Sequence, residues 1–139
     1  MAVNTQFAIA THMLAALGYA AGKEVNSADI AGSVNTSSSF VRRILAKLAK
    51  AGLVKTATGK GGACWLARPP REISLLDIYR AVEAPKAFAI HQYPPEKACP
   101  VSSAIKPALG RVLAETQQAL ERSLSRTSLA HVISDLSKG

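Results

Sequence analysis

Between Ile30 and Arg71 the chain contains no aspartate or glutamate, although nine acidic residues occur elsewhere in its 139 positions. The same stretch holds Arg42, Arg43, Lys47, Lys50, Lys55, Lys60, Arg68 and Arg71, while the remaining basic and acidic residues cancel. The net charge of +8 therefore belongs to one short segment, the footprint expected of a surface that meets phosphates. The plainer reading of such a segment is a solvated basic face.

Cysteine is scarce too. Cys64 and Cys99 are far apart in sequence and form neither a C-x-x-C pair nor a disulfide framework, so no zinc site is implied and a reducing compartment fits. No apolar run approaches the ~20 residues of a membrane helix, and the first residues lack the basic region of a signal peptide. The expectation is a soluble, cytoplasmic protein. Its length suits one domain, or a small domain with an appended dimerisation element, and excludes a large two-domain enzyme.

What is present is helical periodicity. Phe7, Ile9, Ala10, Met13, Leu14 and Leu17 predict a helix over residues 4 to 19, and Ser27 caps a short one over Ala28 to Ser33. After a tight turn, Ser37 or Thr36 caps a third helix running to Ala51. Phe40, Val41, Ile44, Leu45 and Leu48 form its apolar stripe and Arg42, Arg43, Ala46, Lys47 and Lys50 its other side. Strands over Leu53 to Ala57 and Ala63 to Ala67 flank the glycine-rich tip Thr58 to Gly62. Ser74 caps a fourth helix ending near Glu83. Residues 84 to 101, with four prolines, read as a linker.

From Ser103 a long helix is expected, with Pro107 in its tolerated first turn and Ile105, Leu109, Val112, Leu113, Thr116, Leu120 and Leu124 as its stripe. About 22 residues at ~1.5 Å each span ~33 Å, more than a small domain can cover, so a second copy is the simplest cover. A last helix, capped by Thr127 or Ser128, is expected to return to the body.

This order is mainly α with a small β-hairpin wing: a winged helix-turn-helix plus a long C-terminal dimerisation helix. The expected divisions are 1–83 for DNA binding, 84–101 for a linker and possible sensor, and 102–139 for dimerisation and the final helix. The third helix becomes the recognition helix. Ser37, Ser38, Ser39, Arg42 and Arg43 then face the major groove, where arginine grips guanine through two hydrogen bonds, and Lys47 and Lys50 reach phosphates. Lys60 at the wing tip is read as a further DNA contact, although its glycines also serve turn geometry. Gly59-Lys60-Gly61-Gly62 is no phosphate-binding P-loop, because Val54 stands where the first glycine belongs and Gly61 follows the lysine.

His91, Tyr93 and Cys99 in the linker are the candidate sensor residues. Cys99, near Lys97, reads as a small packed residue or as a thiol switch, since neighbouring positive charge favours the thiolate. Cys64 reads as packing and His12 as a surface or interface residue. His91 with Cys99 falls short of a structural zinc's four ligands.

The chain resembles the Rrf-two family of bacterial winged helix-turn-helix transcription regulators, relatives of the iron-sulfur cluster regulator and the cysteine-metabolism repressor. The residues carrying the resemblance are Phe40 to Leu48, Ala51 to Val54, Gly59 to Gly62, Leu66 to Pro69, Ile73 to Ile78, Ala81 to Glu83 and Cys99 to Val101. The resemblance implies the winged fold, a dimer through the long helix, and control at a palindromic operator. Cluster-binding members carry three cysteines between the fourth and long helices, where this chain has Cys99 alone, so no iron-sulfur site is expected. Thr58 and Cys64 also stand where the family commonly has an arginine and an aromatic.

The expected protein is a homodimeric repressor that binds double-stranded DNA, with no cofactor and no metal. The alternatives are a redox-responsive regulator working through Cys99 and an architectural nucleic-acid-binding protein without sequence preference. An enzyme is not expected: Ala98-Cys99-Pro100-Val101 lacks the Pro-Cys-His-Arg run of DNA repair alkyltransferases, and no catalytic constellation has recognisable spacing.

Overall fold

The computed structural model describes residues 4–21, 23–57 and 62–136. These form two compact units. One runs from the start of the described chain to Ala84 and resumes at Leu124, and the other is Pro85–Ser123.

The first unit is built around α1 (Gln6–Tyr19), whose Ala10, Met13, Leu14 and Leu17 repeat at helical spacing and are buried. A two-residue strand, β1 (Val25–Asn26), leads directly into α2 (Ser27–Val34). Asn26 caps α2: its side chain accepts from the Asp29 N–H at 2.8 Å, and Asp29 returns the favour to the Asn26 N–H at 3.1 Å. Asn35 ends α2 in the left-handed conformation (φ 64°), making the turn into α3 (Ser38–Lys50). Val41, Ile44, Leu45 and Leu48 are the buried face of α3, and Gly52 (φ 78°) ends it where an L side chain would be strained.

β2 (Val54–Thr56) and β3 (Ala63–Leu66) then pair antiparallel, with Val54 opposite Leu66 and Thr56 opposite Cys64. β1 adds to the other side of β3, with Val25 opposite Cys64, giving the order β1-β3-β2. A 3-10 turn at Pro70–Glu72 precedes α4 (Leu75–Ala81), which is closed at its start by a capping box between Ser74 and Asp77.

α6 (Leu129–Leu136) returns to this unit. The Leu129 N–H donates to the Ile73 carbonyl at 2.8 Å and the Leu75 N–H to the Thr127 carbonyl at 2.9 Å, so α6 is stitched to the start of α4 by backbone. Gly18 lets α6 approach α1, because a Cβ there would collide with Ile133 Cδ1. The core joins Leu14, Ile30, Ile44, Leu48, Leu53, Ile73, Ile78 and Leu129, each at most 1% exposed. Burying a side chain of this size is worth about 1.5–3 kcal/mol.

The second unit is most of α5 (Pro100–Ser125) and the segment before it. That segment runs antiparallel along the helix. The Ala87 N–H donates to Gln117 Oε1 at 3.0 Å, Ile90 lies beside Gly110, and the Tyr93 hydroxyl donates to the Ser102 carbonyl at 2.7 Å. No residue of α5 is buried, and Val101, Leu109 and Val112 are exposed along one stripe.

Several local expectations change. Asn26 rather than Ser27 caps α2, because the chain is already extended at β1 and Asp29 stands three residues on. α5 starts at Pro100 instead of Ser103; proline suits the first helical position, where its missing N–H is not needed. Pro107 consequently lies inside the helix instead of in its first turn, and the Ser103 carbonyl loses its usual intrahelical donor. β1 was not expected at all.

Candidate nucleic-acid interface

α3 presents the basic face. Ser37 spends its hydroxyl as the cap, accepting from the Phe40 N–H at 3.2 Å, and lies 3.2 Å from the Ser39 hydroxyl. Ser39 is exposed and Ser38 half-buried. Arg42, Arg43 and Lys50 are exposed, and the Arg43 guanidinium sits 5.2 Å above the Phe40 ring, which props it outward through a cation–π contact.

Lys47 is placed differently. It is half-buried, and its ammonium donates to Gln6 Oε1 at 3.0 Å, tying α3 to the first turn of α1. Lys60 falls outside the described residues. Of the other cations in the acid-free stretch, Lys55 and Arg71 are exposed, whereas Arg68 lies 3.7 Å from Asp77 in an ion pair with α4.

A groove of about 270 Å³ separates α3 from the sheet, lined by Arg42, Ala46 and Ala49 on the helix, Thr56 on β2, Gly62 just before β3, and Ser27 at the start of α2. Ser27, Ala49, Thr56 and Gly62 were not among the expected site residues. No local pattern marks them, since they meet only once β2 and β3 have paired and the wing is folded against the helix.

The cysteines differ in their surroundings. Cys64 is buried in β3 and its thiol donates to the Val25 carbonyl at 3.5 Å. Burial pushes this thiol up from its ordinary range and the negative charge of Asp29 adds to that, so the proton stays on at neutral pH. Cys64 is accordingly expected to resist iodoacetamide at pH 8 in the native protein and to react at a normal rate in urea, as followed by mass spectrometry. Equal labelling in both states would contradict that burial.

Cys99 is half-buried just before α5, where its sulfur accepts from the Ser102 N–H at 3.4 Å. His91 stacks on Tyr93 at 4.6 Å, and His12 on α1 faces the Ser33 hydroxyl at 3.0 Å.

A helix, a short helix, a left-handed turn, a second exposed helix and a paired wing define a winged helix-turn-helix. The model of the Rrf2 family, described as an iron-dependent transcriptional regulator, matches residues 3–135, and the chain belongs to that family of transcriptional regulators. YwnA of Bacillus subtilis (strain 168), provisionally named an HTH-type transcriptional regulator, is 37% identical over 135 residues, covering 96% of this chain and 98% of YwnA. A solved structure of a protein provisionally called DNA-binding is 35% identical, with a TM-score of 0.74 over 92% of this chain and 98% of its own. CymR, the global cysteine regulator of B. subtilis, shares the fold at 23% identity, with a TM-score of 0.71 over 96% of this chain and 97% of CymR. These relatives are named as regulators or as a DNA-binding protein, and none is named as an enzyme.

Among the described residues, the family's iron finds no matching donor set. The whole chain has two cysteines, one of them a protonated thiol buried in the wing, and among the described residues no three of His, Cys, Asp and Glu come together. A cluster held by three cysteines does not fit. Among the described residues, no helix is long and apolar enough to cross a membrane.

Proposed function

We propose that this protein is a cytoplasmic, homodimeric repressor that reads a palindromic DNA operator with α3 and does so without an iron-sulfur cluster. The observation that carries the reading is the outer face of α3: Arg42, Arg43 and Lys50 stand exposed, no acid lies between Ile30 and Arg71, and a groove separates this face from the wing. A helix of this kind enters the major groove, where arginine reads guanine edges and lysine neutralises phosphate. Small Ala46 and Ala49 leave room for a base edge or a thymine methyl. Arg68 and Lys47, engaged with Asp77 and Gln6, support the scaffold more than the contact.

The dimer is supported by α5. Val101, Leu109 and Val112 keep an apolar stripe open on a 26-residue helix, and a two-fold partner covers such a stripe with its own copy. Two recognition helices related by that axis would demand half-sites one or two helical turns apart.

Footprinting on the DNA upstream of its own gene tests this directly. The expected result is a protected palindrome whose affinity falls steeply with salt. Uniform weak binding to all DNA would replace this reading with that of an architectural protein.

A further inference from the structure

β1 ends its pairing opposite Cys64, so Trp65 and Leu66 have β2 on one side and face the end of α1 on the other. A concavity of about 370 Å³ opens there. Leu17 and Ala21 supply one wall, and Leu66 and Pro70 supply the other. Among the described residues, the charged groups lining it are Lys23 and Arg68, both cationic, with no carboxylate. Arg68 is already paired with Asp77 at 3.7 Å, so the exposed Lys23 is the uncompensated cation of the lining and Arg68 adds a second, partly neutralised one.

We propose that this concavity binds a small amphiphilic anion, of which a medium-chain aliphatic carboxylate is the simplest example. The carboxylate meets Lys23 and Arg68, and the alkyl chain displaces water from the apolar walls. The volume lies within the roughly 300–1,000 Å³ of ordinary ligand sites, and apolar walls with a few convergent polar groups are their usual composition. Charge decides the class: an uncompensated Lys23, a partly neutralised Arg68 and no acid among the described lining residues favour an anion over a neutral or cationic chain of equal length. One wall is the wing strand β3 and the other is α1, so an occupied site braces the wing against the body. By linkage, ligand and DNA affinities then influence each other equally. The site itself goes beyond operator reading and does not depend on it, whereas the linkage to DNA affinity rests on that reading.

Trp65 lines the same concavity, is 48% exposed, and is the chain's single tryptophan, so it reports occupancy directly. Octanoate titrated at fixed ionic strength is expected to give a saturable blue shift of its emission, with octanol and octylamine giving none over the same range. Lys23→Glu, at an exposed position, is expected to weaken octanoate about fivefold, the upper reach of one exposed ion pair. Ala21→Phe fills the space and is expected to abolish the shift, with circular dichroism confirming that both variants fold. A linear, non-saturating response, equal binding of octanol, or unchanged affinity in Lys23→Glu would each overturn the proposal. So would a Lys23→Glu variant that loses DNA affinity while octanoate binds as before, because the cations would then serve phosphate.

Discussion

Alanine at Arg42 is expected to lower affinity for the operator by one to two orders of magnitude while leaving affinity for scrambled DNA within a few-fold of its starting value. Arg42 is exposed on α3 and lines the groove toward the wing, so truncating it removes no core contact. A bidentate arginine–guanine pair contributes about 1–3 kcal/mol of discrimination, which sets the size of the expected loss. Lys50→Ala gives the contrast. A phosphate contact carries no sequence information, so operator and scrambled DNA should weaken together and the salt slope should drop by about one unit. Fluorescence anisotropy on both DNAs at two salt concentrations separates the two behaviours. If Arg42→Ala loses both DNAs equally, Arg42 neutralises phosphate and base reading lies elsewhere on α3.

The largest effect on stability is expected at Leu129. This side chain is fully buried, and it is the residue by which α6 enters the core beside Ile73, to whose carbonyl its own N–H is bonded. Leu129→Ala is expected to cost about 2–5 kcal/mol, the range for deleting a core leucine whose site collapses only in part. Because one α6 residue anchors both a core position and a backbone link, the loss should appear as a lower midpoint of the whole cooperative transition in urea. Leu136→Ala is the control, since Leu136 is half-exposed on the same helix. Equal midpoints for the two variants would mean that α6 docks on the body without stabilising it.

Much of this architecture was legible because it depends on local periodicity. The stripe Val41, Ile44, Leu45, Leu48 fixes which side of α3 faces inward, and with it the exposure of Arg42, Arg43 and Lys50. Ser37 and Ser74 announce their helices as caps, and Gly52 marks the end of α3. What stayed hidden depends on partners remote in sequence. β1 is two residues long and exists only because β3 offers an edge. Lys47 occurs in the same run as Arg43 and Lys50, yet Gln6, 41 positions away, turns it aside. Arg68 belongs by composition to the basic stretch, but Asp77 claims it. The linker, irregular by its prolines, still has a defined course, because Gln117 and the Ser102 carbonyl offer hydrogen bonds to Ala87 and Tyr93. Counting charges along the chain therefore overstates how many cations of the basic stretch are free.

The return of α6 to the first unit also makes residues 85 to 123 a detour, a loop of chain spliced into a body that is complete on either side of it. Continuity of the backbone is then not what joins the last helix to the rest. A cut at Lys97, exposed within the irregular segment, would leave two pieces still clasped through Leu129 and the Ile73 carbonyl. The detour is free to lengthen, shorten or exchange its side chains without rewriting the core that carries α3. Variation in the detour can in this way proceed separately from variation in the body that carries α3.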